Sequence, residues 1–327
     1  MNILYIYRNR KQGPSIRRVF EPIAEELSKK GSLQSISLPA YDASLKSIYK
    51  NIKYVYKFLK YNHFDIIHLT GDVYYLMWIL KRYNAVVTVH DLLFYKRIHL
   101  GIKKILMYFL MIYPVRYAKI VTFISEKSRD EALNIYSINS NKCYVVSNPV
   151  NPTYTFCEKK FDMRNALLLH LGTKTNKNLS RVIEAMDGLN CRLHVVGKVS
   201  ENLKKRIQEL KLNVIMDENL SDEEIVDAYK NCDIVCFPSL YEGFGMPIIE
   251  GQAFGRPVVT SNLPPMNKIA GCGAVLVDPY SVQSIRDGIK YAMEHFDSLI
   301  SYGQENVKKY SVQYISNQYL NIYKKLQ

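Results

Sequence analysis

Residues 238–250 read Pro238-Ser239-Leu240-Tyr241-Glu242-Gly243-Phe244-Gly245-Met246-Pro247-Ile248-Ile249-Glu250. The apolar run Ile234–Phe237 before them reads as a buried parallel strand. Pro247–Phe254 reads as a helix, with proline near its start, where a missing N–H costs little. A glycine-bearing turn therefore joins a strand to a helix N-terminus. That geometry turns backbone N–H groups and the positive helix end outward, which suits a phosphate. Glu242 and Glu250 bracket the turn. Carboxylates are poor phosphate ligands but good acceptors for hydroxyl protons. A ligand with both phosphates and hydroxyls, such as a nucleotide sugar, meets both demands. Gly243 and Gly245 alone leave a plainer reading equally open: a capped helix after a core strand, with two unrelated surface glutamates.

Working outward, the same alternation fills the chain. Ile3–Tyr7, Ile66–Leu69, Val86–His90, Ile120–Ser125 and Tyr144–Ser147 read as strands in the first half, with Ser35–Leu38 a weaker candidate. Leu167–Leu171, Arg192–Val196, Val214–Met216, Ile234–Phe237, Val258–Thr260 and Ala274–Val277 follow in the second. Helical stretches separate most of them, and continuous apolar strands argue for parallel sheets covered on both faces. So many strands exceed one small unit. The fold class expected is α/β, with two doubly wound Rossmann-like domains. Ser147-Asn148-Pro149-Val150-Asn151-Pro152 reads as the hinge, since two prolines there follow a strand. The domains expected are 1–150 and 151–310. The tail repeats Tyr310, Tyr314, Tyr319 and Tyr323 at roughly helical spacing, and a helix over about 311–327 is expected to fold back on the first domain.

The chain has 327 residues, nearly half of them apolar, enough for two cores. No signal peptide is read at the N-terminus, because Ile3–Tyr7 is short and turns basic at Arg8 and Arg10. The longest apolar stretch, Ile105–Val115, falls short of the roughly 20 residues that span a bilayer. The six cysteines form no Cys-x-x-Cys pair, and Cys232 and Cys236 read as reduced core thiols. A cytoplasmic protein is expected. Charge is uneven: residues 1–150 hold 23 Lys+Arg against 10 Asp+Glu, leaving 21 against 20 in residues 151–327. The basic half points to an anionic partner or surface.

Three further loops carry candidate chemistry. Arg8-Asn9-Arg10-Lys11-Gln12-Gly13-Pro14-Ser15 follows the first strand, where doubly wound domains collect phosphates, with Ser15 as the expected helix cap. An ordinary capped turn explains it equally well. Val86–Asp91 ends a strand on His90 and Asp91. A lone histidine there is more often structural, and His68 is read that way. Leu167–Leu179 is again strand, polar loop and helix start. With Asn178 as the cap, Lys177 would stand beside a positive helix end, which favours a phosphate as its counter-charge.

The Glu242…Glu250 string resembles the Glu-x7-Glu signature of retaining GT-B glycosyltransferases of family 4. Gly255-Arg256-Pro257-Val258-Val259 and Leu276-Val277-Asp278-Pro279 extend the likeness. It implies two Rossmann-like domains about a central cleft, the first binding acceptor and the second binding a nucleotide-sugar donor. By resemblance, Glu242 holds hydroxyls of the donor sugar and Glu250 grips the ribose. Backbone at Gly243, Phe244 and Gly245 meets sugar and diphosphate. The Gly172–Lys177 loop resembles the family's diphosphate loop, with Lys177 matching its lysine. Thr173 stands where an arginine is common, and Lys174 is the candidate substitute, a point charge without arginine's fork. Gly13 carries over as a backbone contact near donor phosphate or acceptor. His90 would face the donor sugar and steady charge on the anomeric carbon through its carbonyl, with Asp91 on the acceptor side.

The implied reaction is retaining hexosyl transfer to a glycan or lipid-linked acceptor, in assembly of a bacterial surface polysaccharide. The leaving diphosphate takes the acceptor's proton. No Asp-x-Asp occurs, so no metal and no cofactor beyond the donor substrate is expected. Lys46, Lys50, Lys53, Lys57 and Lys60 form one helical stripe, opposite Ile48, Ile52, Val55 and Leu59. It reads as a solvated face or as a helix resting on anionic lipid. Lys103–Arg116 pairs basic flanks with a bulky apolar run, either core or a shallow insertion. A peripheral site on the inner membrane face follows from the second option of each. Two rival readings stay open. One is a non-catalytic basic protein binding membrane or nucleic acid, with nucleic acid disfavoured. The other is the same fold used as a sugar-nucleotide epimerase or phosphorylase.

Overall fold

The computed structural model describes residues 1–13, 15–42, 44–91, 101–136 and 138–327. It divides into two units, Met1–Pro149 with Val312–Gln327, and Val150–Ser311. Each contains a six-stranded parallel sheet. The α/β class expected from strand–helix alternation is the class observed.

In the first unit the strands are β1 (Asn2–Tyr7), β2 (Ser32–Ser37), β3 (Ile66–Leu69), β4 (Ala85–Val89), β5 (Ile120–Phe123) and β6 (Cys143–Val145), in spatial order β2-β1-β3-β4-β5-β6. β3, β4 and β5 are buried along their whole length, which is why they read as unbroken apolar runs. β2 is the exception. Its sequence, Ser-Leu-Gln-Ser-Ile-Ser, is polar and mostly exposed, yet it pairs with β1 from Asn2↔Ser32 to Tyr7↔Ser37. Edge pairing, not apolar content, makes it a strand, and it extends further back than Ser35 for that reason.

Helices cover this sheet: α1 (Ser15–Ser28), α2 (Leu45–Tyr61) and α3 (Glu126–Leu133). α1 turns Ile16, Val19, Phe20, Ile23 and Leu27 inward, at helical spacing. Ser15 does not cap α1. It is the first helical residue, and its hydroxyl accepts from the Arg8 guanidinium at 3.2 Å. The C-terminal helix, here α4 (Val312–Lys324), belongs to this unit and contacts α1. Tyr323 meets Tyr5, hydroxyl to hydroxyl, at 2.8 Å, and pairs with His68 Nδ1 at 2.6 Å. His68 Nε2 meets Thr88 Oγ1 at 2.7 Å. All these groups are buried, so each needs the others as partners. His68 is structural, as read.

The second unit orders its strands β12-β11-β10-β7-β8-β9. They are β7 (Ala166–Leu171), β8 (Cys191–Val196), β9 (Val214–Asp217), β10 (Ile234–Phe237), β11 (Val258–Ser261) and β12 (Ala274–Val277). The chain starts at β7, runs out through β8 to β9, then returns to the other side of β7 as β10. The order therefore reverses between β7 and β10. In open α/β sheets ligands bind at that reversal, outside the carboxyl ends of the strands. The two connecting segments touch within this unit, where the Val150 N–H donates to the Tyr310 carbonyl at 2.8 Å.

Candidate active site

The loops after β7 and β10 meet at the reversal and are stitched by two asparagines. The Leu240 N–H donates to the Asn176 carbonyl at 2.8 Å, and the Asn176 amide donates to the Tyr241 carbonyl at 3.0 Å. Asn178 was expected to cap the helix that follows. It occupies the cap position with φ 67°, but its side chain makes no capping bond. Instead its buried amide donates to the carbonyls of Pro238 (2.9 Å) and Pro279 (2.7 Å). Asparagine tolerates the left-handed conformation better than most residues. This stitching was not read from the sequence, because an asparagine before an apolar helical run signals a cap first.

The stitched loops bring Lys177 and Glu242 together. Lys177 Nζ lies 2.7 Å from Glu242 Oε1 and 4.7 Å from the centroid of the Phe237 ring. Both charged side chains are largely covered, at 21 and 15% exposure. Low solvent access strengthens such a pair relative to a surface one. Gly172, at φ 87°, lets the lysine stem lie across the loop, since a Cβ there would come within 3.1 Å of Lys177 Cγ. Lys174 is exposed and, among the described residues, has no ion-pair partner.

Glycines shape the turn on the Glu242 side. Gly245 sits at φ 116° and opens a helix, Met246–Ala253, with Pro247 in its first turn. The Ile248 N–H is turned back to the Gly245 carbonyl at 3.0 Å. The N–H groups of Phe244, Gly245 and Met246 have no partner among the described residues. The side chain of Phe244 is buried, edge-on to Tyr310. Three consecutive N–H groups without a partner are the equipment for an anion.

Glu250 lies on that helix and accepts a 2.6 Å hydrogen bond from the Tyr229 hydroxyl. Tyr229 is fully buried and stacks on Phe254, and burial with the nearby Glu250 charge holds its phenol well above the ordinary range. It therefore stays a donor. The guanidinium of buried Arg256 donates to the carbonyls of Tyr229 and Lys230 at 3.0 and 2.9 Å. Tyr229 was missed in the sequence because a tyrosine inside an acidic amphipathic helix carries no motif. Behind the loops, His170 donates from Nδ1 to the Cys236 carbonyl at 2.9 Å, and burial lowers its pKa to about 4.

Gly13, His90 and Asp91 lie in the first unit. Gly13, at φ 93°, ends the turn after β1. His90 Nε2 donates to the Thr70 carbonyl at 2.8 Å, and its own carbonyl accepts from Ser128 Oγ at 3.1 Å. Burial holds this imidazole below its ordinary pKa, so Nδ1 is the unprotonated nitrogen. That nitrogen has no partner among the described residues and is the atom that can accept a hydroxyl. Among the described residues no group of three or more His, Cys, Asp or Glu is placed to hold a metal, and no helix is long and apolar enough to cross a membrane.

The pattern of the family described as "Glycosyl transferases group 1" matches residues 156–308, and that of "Glycosyltransferase Family 4" matches residues 20–154. The chain belongs to the family 4 glycosyltransferases. This glycosyltransferase is 28% identical over 241 residues to the O-antigen chain mannosyltransferase RfbU of Salmonella typhimurium, covering 69% of the chain and 67% of that protein. It is 29% identical over 175 residues to the MMP alpha-(1->4)-mannosyltransferase of Mycolicibacterium hassiacum, covering 50% of the chain and 42% of that protein. In fold it resembles the sucrose-phosphate synthase of Thermosynechococcus elongatus over 100% of this chain and 99% of that one, with TM-score 0.78 and 15% identity. Anabaena Alr3699/HepE in complex with UDP and glucose superposes with TM-score 0.75 at 16% identity, over 99% of this chain and all of that one. The glycosyltransferase is thus a GT-B-type α/β enzyme, as the Glu242…Glu250 resemblance implied.

Proposed function

We propose that this glycosyltransferase moves a hexose from a nucleoside-diphosphate sugar to a hydroxyl of a glycan or lipid-linked acceptor, with retention at the anomeric carbon, during assembly of a bacterial surface polysaccharide. The observation that carries the reading is the Lys177–Glu242 pair at the strand reversal. It sets a cation for phosphate and a carboxylate for hydroxyls within one contact, beside the free N–H groups of Phe244–Met246. A diphosphate entering the loop would draw Lys177 away from Glu242, which then turns to sugar hydroxyls. Glu250, oriented by Tyr229, would take the ribose. The bond from anomeric carbon to phosphate breaks, the acceptor hydroxyl attacks from the same face, and its proton passes to the leaving diphosphate. Lys177 and the loop donors stabilise the charge that develops there. His90 Nδ1 accepts from a donor-sugar hydroxyl, and Lys174 is the second cation.

The names of the relatives support the polysaccharide setting and make mannose the first sugar to try. The Alr3699/HepE structures with UDP and UDP-glucose support a nucleoside-diphosphate donor. The deciding experiment incubates the protein with a panel of nucleoside-diphosphate sugars and follows diphosphate release with and without a glycan acceptor. Acceptor-dependent release from one donor is expected, with the product keeping the donor's anomeric configuration. An inverted product would overturn retention, and a change in the sugar with no transfer would point to an epimerase. Excess EDTA should leave turnover within about twofold; full loss would show that a metal carries the phosphate charge.

A further inference from the structure

β7 and β10 flank the strand reversal of the second sheet, yet among the described residues they pair at two positions only, Ile234↔Leu168 and Val235↔Leu169. Both strands run further. β7 continues beside β8 to Leu171↔Val196, and β10 continues beside β11 to Phe237↔Thr260. Each keeps its outer partner while the ladder between them stops. The sheet is therefore parted at its reversal over the last two residues of each strand. The chain closes again beyond the parting, through the bonds of Asn176 and Asn178 to Leu240, Tyr241 and Pro238.

One side chain spans the parted stretch. β7 reads Ala166-Leu167-Leu168-Leu169-His170-Leu171, and His170, its one polar residue, is fully buried. Its Nδ1 lies 2.9 Å from the Cys236 carbonyl, where the next ladder pair would stand. A carbonyl only accepts, so Nδ1 carries the proton and Nε2 of the neutral ring is an acceptor. Nε2 is buried and has no partner among the described residues. An unpaired buried acceptor costs free energy, and a leucine would fill the position without that cost. Packing alone does not account for an imidazole here. What the parted ends carry is Lys177. Its stem lies against Gly172, which follows β7, and its ammonium stands 4.7 Å from the ring of Phe237, which ends β10. Burial, then the Cys236 carbonyl, then the Lys177 charge act on the proton affinity of His170, so the ring stands close under that lysine.

We infer that His170 is a positioning residue: its bond to the Cys236 carbonyl sets the gap between the parted ends of β7 and β10, and that gap seats Lys177 against the diphosphate of the donor. Buried as it is, the ring acts through Lys177 and not on the donor itself. It replaces a flexible backbone ladder with one side-chain strut of fixed length, which is how a charged group is held to the tolerance that catalysis needs. The bond and the gap stand whatever the enzyme transfers; the diphosphate half rests on the glycosyl-transfer reading.

Nitrogen-15 NMR of the full chain with labelled histidine tests the bond. The His170 signals, assigned by their loss in His170→Asn, should show a protonated Nδ1 and a bare Nε2 at neutral pH. A protonated Nε2 with a bare Nδ1 would overturn the inference whatever the enzyme transfers. Binding and kinetics test the positioning. His170→Leu should lower turnover and nucleoside-diphosphate affinity about tenfold or more, the scale of a slightly misplaced group. Affinity for the bare nucleoside, which has no phosphate for Lys177, should not change. His170→Asn sets an amide N–H near the place of Nδ1 and should recover most of the loss, whereas His170→Gln, which reaches toward Nε2 instead, should not. Lys177→Ala and Lys177→Ala/His170→Leu should behave alike, because the strut has nothing left to position. A full further loss in that double variant would show general loosening of the loops and overturn the inference, as would wild-type diphosphate affinity in a folded His170→Leu. Where His170→Leu does not fold, equal diphosphate affinity in His170→Asn and His170→Gln overturns it. A wild-type chain that binds no nucleoside diphosphate would remove the glycosyl-transfer reading and the Lys177 half together, leaving the bond to be decided by the NMR result.

Discussion

At the level of single residues, the site depends on a few side chains held by partners that carry no motif. Lys177 and Glu250 are assigned to diphosphate and ribose. Lys177→Ala and Glu250→Ala should each lower turnover at least tenfold, since loss of one oriented stabiliser costs about 2.7–4 kcal/mol. Steady-state kinetics on both variants decides it, and near-wild-type rates in both would remove the assignment. In the proposed site Tyr229 acts through Glu250. Tyr229→Phe keeps the ring stacked on Phe254 and deletes only the 2.6 Å bond. A hydrogen bond to a charged group is worth about 1.5–3 kcal/mol, so nucleoside-diphosphate binding should weaken about tenfold or more. Isothermal titration should show this at unchanged circular dichroism. A donor lacking ribose hydroxyls should bind wild type and variant alike, an outcome that packing loss alone would not produce.

At the level of elements, the turn after β7 offers a backbone test. Gly172→Ala adds a Cβ at φ 87°, 3.1 Å from the Lys177 stem. The strain should cost about 1–2 kcal/mol, and the displaced lysine should reduce turnover more than stability falls. Thermal melts and kinetics on the one variant separate the two effects. Most elements were legible in the sequence, and the reason is burial. Ile66–Leu69 and Ile234–Phe237, buried along their whole length, were read at their observed bounds because turn residues fix such runs on both sides; Ala274–Val277 was read at its bounds as well, although only Val277 there is buried. β2 was the weak case, since a polar edge strand is decided by its neighbour rather than by itself. In the candidate site, Glu242, Glu250 and Lys177 stood out because their types beside a glycine turn suit phosphate and hydroxyl groups, and the fold puts Lys177 in contact with Glu242. Asn176, Asn178 and Tyr229 were not. Each acts on a segment distant in sequence: the pairing of β7 beside β10 brings Asn176 and Asn178 to the loop after β10, and the helices on either side of β10 bring Tyr229 to Glu250.

At the level of the whole molecule, two buried imidazoles set an acid limit. His68 and His170 are held neutral by burial, His68 at about 3 and His170 at about 4, against an ordinary 6.5. Between those values and 6.5 the unfolded chain binds protons that the fold does not, so stability falls as pH drops. The slope approaches about 1.4 kcal/mol per pH unit for each histidine. Urea midpoints should decline from pH 7 toward pH 4, and His68→Gln should flatten that decline if it still folds; His170→Gln serves as the second probe. A flat profile in wild type would contradict the burial of both rings. The first sheet is also completed late. Its Tyr5–Tyr323–His68 cluster needs the helix Val312–Lys324, yet the whole second unit, Val150–Ser311, lies between. At about 5–20 residues per second, a ribosome needs on the order of ten to thirty seconds to make that stretch. For that interval the nascent first unit waits with His68 Nδ1 and the Tyr5 hydroxyl lacking the partner that Tyr323 supplies. A premature stop that removes only the final helix would therefore spoil the half of the enzyme that was made first, and leave the half made last intact.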